Sequence, residues 1–294
     1  MTSMTGRRAR FSALLVVAWC IASLPAWRVG AAGPQRIVSL VPAATEMLFA
    51  MGAHDRLVGV GSYDNYPPEA TRLPRLGGLL DPNVERLLGL KPDLAVVYST
   101  QSELRRQLDR ASVPMFLYVH RGLPDVTQTI RALGARVDAA RQANELADRI
   151  DRQLAAVRAR VAGRGRPRTL LVIGRESGTL RGVVASGGYG FLHDMLETAG
   201  AVDAVADIKR ESVQMSTEML LARAPDVIIE LHYGNDLRTD QLASERAVWN
   251  RLGSLPAVKN NRVLLLVGDE FVVPGPRIVG AVERLASALH PSAF

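Results

Sequence analysis

The stretch Asp81–Tyr98 reads DPNVERLLGLKPDLAVVY, and the chain returns to the same grammar at Glu218–Glu230 with EMLLARAPDVIIE. Glu85 matches Glu218, Leu87 matches Leu220, Leu88 matches Leu221, Pro92 matches Pro225 and Asp93 matches Asp226, every pair 133 residues apart. The frame predicts one local structure in both copies. A short helix buries its Leu pair, the residue ahead of proline is driven out of helical geometry, and a Val/Ile-rich run follows as a buried strand. Upstream, EMLFAMGA at 46–53 echoes DMLETAGA at 194–201, each a helix closed by glycine. This second echo is offset by 148 residues, so the connections between the echoed elements differ in length. A period this long is no solenoid repeat, and two ordered echoes predict two alike lobes.

Working outward, QRIVSLV at 35–41 is a buried strand, and Thr45 is placed to cap a helix over 46–51. Strands are expected at 57–60, 94–98 and 113–120, with a polar helix over 103–110 and loops at 61–68 and 77–80. The second half repeats this order, with strands at 169–173, 227–231 and 262–267 and helices at 191–199 and 278–289. Gly174 to Tyr189 reads as loop with a Gly187-Gly188 turn. Strand–helix alternation of this kind is the pattern of a parallel sheet covered on both faces.

Between the halves, 125–163 is helix-forming, with one break expected at Gly134. From Ala139 to Val161 there is neither Gly nor Pro, and Leu146, Ile150, Leu154, Val157 and Val161 share one stripe. About 24 residues at about 1.5 Å each span about 36 Å, enough to run from one lobe to another. The fold class expected is therefore α/β: two similar α/β lobes with mainly parallel sheets, joined by a single long backbone helix. The divisions are a signal peptide at 1–31, an N-terminal lobe at 35–135, the connecting helix at 139–163 and a C-terminal lobe at 167–294.

The first 31 residues set the compartment. Arg7, Arg8 and Arg10 precede the apolar run Phe11–Leu24, and Val29-Gly30-Ala31 supplies small residues for cleavage, the layout of an export signal. The expected location is periplasmic; an uncleaved anchor would share the charged and apolar segments. Cys20 follows the bulky Trp19, which argues against a lipidated cysteine. Removing 1–31 takes away four Arg and no acid, leaving 32 basic against 29 acidic side chains and a charge of +3 in place of +7. With no Lys/Arg cluster interleaved with aromatics, nucleic acid is not an expected partner. Cys20 is the sole cysteine, so the mature chain carries no disulfide and no cysteine–metal site.

In parallel sheets ligands gather beyond the strand C-termini. Those positions hold Pro42, Tyr63, Tyr66, Tyr98, His120 and Arg121 in the first half, and Arg175, Glu176, His232, Tyr233, Asp269 and Phe271 in the second. No Walker loop, GxGxxG, HExxH or GxSxG is present, and the neighbours Asp269 and Glu270 point apart on an extended chain. Neither an enzyme nor a catalytic cofactor is expected, and no catalytic residue is assigned.

RIVSLVPAATEMLFAMGA (36–53), SYDNYPP (62–68), GGLLDPNVERLLGLKPDLAVV (77–97) and GDEFVVPGPRIV (268–279) together resemble the substrate-binding proteins of cobalamin, haem and ferric-siderophore ABC importers. The resemblance covers essentially the whole mature chain. It implies a monomer that holds a metal-chelate ligand in the cleft between its lobes and delivers it to a dimeric ABC permease. It further implies that Glu85 and Glu218 dock into arginine pockets on that permease, although a helix dipole also favours a carboxylate there.

The 62–68 loop and the segment before Glu85 are closest to cobalamin receptors, so cobalamin or a related corrinoid is the expected cargo. Leu79 and Ser212, six residues before the two acids, stand where such receptors can carry Trp. Tyr63, Tyr66, Tyr98, Tyr189 and Phe271 remain as flat surfaces for a macrocycle, with Leu79 and Leu80 beside them. Haem is the alternative, with His120 and His232 as possible iron ligands. A ferric siderophore would instead meet Arg121, Arg175 and Arg277. An exported tetrapyrrole-modifying enzyme is the remaining reading.

Overall fold

The computed structural model describes residues 33–233 and 239–294. The expected signal segment and Cys20 lie outside the described residues.

The first lobe runs β1 (Ile37–Ser39), α1 (Pro42–Ala50), β2 (Leu57–Val60), α2 (Val84–Gly89), β3 (Leu94–Tyr98), α3 (Ser102–Arg110), β4 (Met115–Tyr118) and α4 (Pro124–Arg136). Its strands pair in the order β2-β1-β3-β4, all parallel. The helix α5 (Ala140–Val161) then leads into β5 (Arg168–Gly174), β6 (Val184–Ser186), α6 (Phe191–Thr198), β7 (Val202–Asp203) and β8 (Ser212–Gln214). The chain continues through α7 (Thr217–Arg223), β9 (Val227–His232), α8 (Thr239–Val248), α9 (Pro256–Lys259), β10 (Val263–Val267) and α10 (Ile278–Leu289). In the second sheet β10, β9, β5 and β7 are parallel, and β6 and β8 extend it antiparallel beyond β5. Apart from that added edge, the two sheets share one topology, with β7 standing where β2 stands.

The sequence echo has a hydrogen-bonded cause. Arg36, just ahead of β1, donates from Nε to the Leu90 carbonyl at 3.0 Å, and Arg168, opening β5, donates from Nε to the Arg223 carbonyl at 2.9 Å. Both bonds hold the C-terminal end of a short helix against the lobe's first strand. Lys91 and Ala224, each immediately before the proline, take φ values of 47° and 42°. That left-handed residue turns the chain sharply into the next strand. The shared Leu pair is not buried as a pair. Leu87 and Leu220 are fully buried, whereas Leu88 is half-buried and Leu221 is exposed, because adjacent helical residues cannot both face the sheet.

Three other local expectations change. Thr45 does not cap α1: Pro42 occupies the first turn, so the helix begins earlier and Thr45 is a buried interior residue. Gly134 does not break the helix but sits in α4 where it packs on α5; a Cβ there would stand 2.1 Å from Ala143 Cβ. The break falls instead at Val137–Ala139, with Asp138 at φ 54°. The segment from Gly174 to Tyr189 contains β6, a three-residue strand too short to show a period.

The stripe Leu146, Ile150, Leu154, Val157 and Val161 is buried and belongs to one continuous core with residues of α1, α4, α6 and α10. Each sheet's other face packs a smaller core of its own. The connecting helix thus lies along apolar surface contributed by both lobes. At 22 residues it is about 33 Å long.

Candidate ligand-binding cleft

Alternation along the strands decides which side chains reach the cleft. In β3, Leu94 and Val96 face the continuous core and Tyr98 extends the same face; in β4, Phe116 and Tyr118 do so, followed by His120. In β9, Val227, Ile229 and Leu231 share that side, and Tyr233 follows beyond the strand end. Two sheets thereby present aromatic residues to one cavity of about 380 Å³. Pro42, Ala43, Tyr98, Tyr118 and His120 line it from the first lobe. Ile173, Tyr189, Phe191, Leu192 and Tyr233 line it from the second, with Val272–Pro274 following β10. Glu211 is the carboxylate on its wall.

The aromatic rings form a connected row. Tyr98 meets Tyr118 edge-on at 5.6 Å between centroids, Tyr118 and His120 are stacked at 6.2 Å, and His120 meets Phe191 of the other lobe edge-on at 5.0 Å. Two polar atoms within this row, Tyr118 Oη and His120 Nε2, are buried without a protein partner among the described residues. Burial pushes the Tyr118 phenol well above its ordinary range, so it remains a hydrogen-bond donor. Burial also lowers the His120 pKa against the pull of Asp125 and Asp194, which favours neutral imidazole. Tyr233, by contrast, donates its hydroxyl to the Ile173 carbonyl at 2.6 Å.

A second cavity of about 200 Å³ adjoins the first through Pro42, Val272 and Val273. Tyr63, Tyr66, Asp269 and Arg277 line it. The Arg277 guanidinium lies over the Tyr66 ring at 4.1 Å and binds Glu46 through Nε at 3.0 Å and Nη2 at 2.5 Å. Tyr63 is largely exposed at the rim. Leu79 and Leu80 are exposed in the loop before α2, and neither lines the two cavities.

Three expected contacts point elsewhere. Arg175 is buried between Glu230 and Glu245 at 3.0 and 2.7 Å, its guanidinium committed inside the second lobe. His232 turns to the same side as Glu230, 3.2 Å from its carboxylate, because it stands two residues further along β9. It is therefore not a cleft histidine. Phe271 is fully buried with Arg284 over its ring at 4.7 Å, a core residue and not a macrocycle surface.

Tyr118, Phe191, Leu192 and Val272–Pro274 were not expected at the site. Tyr118 follows from the same two-residue alternation that leads to His120, and Phe191 directly follows the glycine that opens α6. Val272–Pro274 carries no comparable signal.

The acids expected to dock a partner are equivalent in structure. Glu85 and Glu218 are the second residues of α2 and α7, both exposed, behind the capping residues Asn83 and Ser216. Asn83 Oδ1 accepts from the Arg86 amide at 2.9 Å, and Ser216 Oγ accepts from the Met219 amide at 3.2 Å. Its own amide and the Ser216 hydroxyl hold the Glu218 carboxyl below its usual range.

The chain matches the family described as periplasmic binding protein over residues 37–269. It belongs to that periplasmic binding protein family. It is 30% identical over 270 residues to a vitamin B12-binding protein of Salmonella typhimurium, covering 91% of this chain and 93% of the relative. It is 27% identical to an ABC transporter substrate-binding lipoprotein of Bacillus subtilis, over 89% of this chain and 82% of that one. A solved periplasmic haem-binding protein from Roseiflexus superposes with a TM-score of 0.74 at 26% identity, covering 89% of this chain and all of that one. Relatives of this periplasmic binding protein thus carry names for two different metal chelates on one two-lobed fold. Among the described residues no helix is long and apolar enough to cross a membrane.

Proposed function

We propose that this periplasmic binding protein is exported, captures cobalamin or a related corrinoid between its lobes and delivers it to the permease of an ABC importer. The observation that carries this reading is the aromatic row spanning both lobes, with Tyr118 Oη and His120 Nε2 buried and unpartnered within it. A flat macrocycle satisfies both demands: apolar faces stack on aromatic rings, and peripheral polar groups meet the two orphaned atoms. The 30% identity to a vitamin B12-binding protein favours the corrinoid. The proposed divisions are a signal peptide at 1–31, lobes at 35–135 and 167–294 and the connecting helix at 139–163, with the protein acting as a monomer that modifies nothing.

Haem is the second reading. It is supported by the neutral His120 imidazole on the cavity wall and by the haem-binding relative. Glu85 and Glu218, matched in position and exposed on separate lobes, suit docking on a two-fold permease dimer.

Equilibrium dialysis against cyanocobalamin, dicyanocobinamide, haemin and a ferric siderophore tests the cargo. Retention of a corrinoid, recovered chemically unchanged, is the expected result. A shifted Soret band with haemin and no corrinoid retention would transfer the assignment to haem, and altered recovered ligand would make the protein an enzyme.

A further inference from the structure

The two echoed helices carry matched acids: Glu46 in α1 corresponds to Asp194 in α6 across the 148-residue offset. Each acid reaches into the opposite lobe. Glu46 accepts two hydrogen bonds from Arg277, the residue capping the start of α10. Asp194 Oδ2 accepts the backbone N–H of Leu123 at 2.8 Å, the residue capping the start of α4. The helices so engaged are themselves counterparts, α4 following β4 and α10 following β10, each the edge strand beside the echoed strand β3 or β9. A glycine admits the acid at both places. A Cβ on Gly122 would lie 2.6 Å from Asp194 Oδ2, and one on Gly275 would lie 2.9 Å from Glu46 Oε2.

The two contacts flank the cleft. Glu46 and Arg277 border the smaller cavity beside Tyr66. Asp194 lies in the α6 turn that presents Phe191 and Leu192 to the larger one, close enough for its charge to act on His120. One contact therefore borders each of the two adjoining cavities, and neither uses a group of the aromatic row.

We propose that Glu46 and Asp194 are positioning residues that set the width of the cleft as a pair of reciprocal clamps. Each lobe's first helix holds the N-terminal end of the helix following the other lobe's edge strand. Two such separate contacts resist both hinge opening and twist about the connecting helix, which one contact could not do. Both clamps join protein groups alone, so they fix the separation of Tyr98 and His120 from Phe191 across the cleft and lower the ordering cost of binding.

The test measures the distance between lobes directly and does not depend on the identity of the cargo. Cys20 is the only cysteine, so the full chain carrying Cys20→Ser accepts spin labels at Ser102→Cys and Ser254→Cys, both exposed and one on each lobe. The ligand-free parent should give a narrow distance distribution. Glu46→Ala with Asp194→Ala should shift its mean by more than the parent's width and broaden it. Asp194→Asn, which keeps an acceptor for the Leu123 amide, should restore the Asp194 contribution. Exchanging Glu46→Arg with Arg277→Glu should restore that of Glu46. If the double alanine variant does not fold, Gly122→Ala alone should displace the mean by forcing Asp194 away. A distribution unchanged by the double alanine variant, or by Gly122→Ala, would overturn the proposal.

Discussion

Asp93 and Asp226, one in each lobe, tie their lobe's echoed strand to the start of its first strand in the same way. Asp93 accepts the backbone N–H groups of Gln35 and Arg36 at 2.7 and 2.8 Å, and Asp226 accepts that of Arg168 at 3.0 Å. Each Asp amide returns a bond to the carbonyl of the same arginine, at 2.9 and 2.8 Å. The repeated Pro-Asp is therefore a backbone device that lays β3 and β9 beside their lobe's first strand straight out of a short helix.

The difference between the two sites sets the first prediction. Hydrogen bonds to a charged acceptor contribute about 1.5–3 kcal/mol when buried and less when exposed, as both aspartates are. Asp93→Ala loses two and should cost about 2 kcal/mol; Asp226→Ala loses one and should cost about 1 kcal/mol. Urea unfolding of each variant measures this. Equal costs would contradict the difference in bond number, and no cost in either variant would show that the device is ornamental.

The paired leucines separate by burial. Leu220→Ala opens a cavity at a fully buried position and should cost about 2–5 kcal/mol, while Leu221→Ala on the exposed face should change stability by about 0.5 kcal/mol or less. Thermal melts at one pH decide between this and an equally buried pair.

Asp64 supplies the pH dependence. It is buried, and burial pushes its carboxyl up from 3.8 to about 7, only partly offset by the Thr45 hydroxyl, the Arg75 charge and the Gly61 backbone. The folded pKa lies above the unfolded one, so the ionised form opposes folding. That penalty is absent below about pH 4, grows between the two pKa values and is complete above about pH 7, reaching roughly 4 kcal/mol. Asp64→Asn should accordingly raise the melting temperature at about pH 8, with the advantage vanishing towards pH 4. A gain independent of pH would place the effect in packing and not in charge.

Glu85 and Glu218 should matter only in the membrane. Replacing both by Ala should abolish uptake of the cargo by cells and leave its dissociation constant within about twofold, since both acids are exposed away from the two cavities. Undiminished uptake would remove them from the docking surface.

Much of the fold was legible because the decisive signals are local and repeated. The helix–Pro-Asp–strand unit appears twice, and the glycine-free run ahead of Val161 marks the connecting helix. The added β6 and β8 were not, since three-residue strands leave no period to read. The site divided along another line. Position at a strand end predicted Tyr98, His120 and Tyr233, but position alone is silent about direction. Arg175 and His232 stand at strand ends and yet turn to Glu230, an acid whose burial is invisible until its partners are assembled. Tyr118 was within reach of the alternation argument, two residues before His120. The Glu46–Arg277 pair joins residues 231 positions apart, and no periodicity carries that distance.

Calorimetric titration of cyanocobalamin into the parent protein, Tyr98→Ala, Phe191→Ala and the double variant tests the central claim most directly, because the two rings belong to opposite lobes. The parent should bind one equivalent, each single change should weaken binding about tenfold or more, from ~1–3 kcal/mol of lost stacking and burial, and the double change should lose nearly the sum. Binding of cyanocobalamin with the same affinity in the parent and the double variant would contradict a cargo held between the lobes.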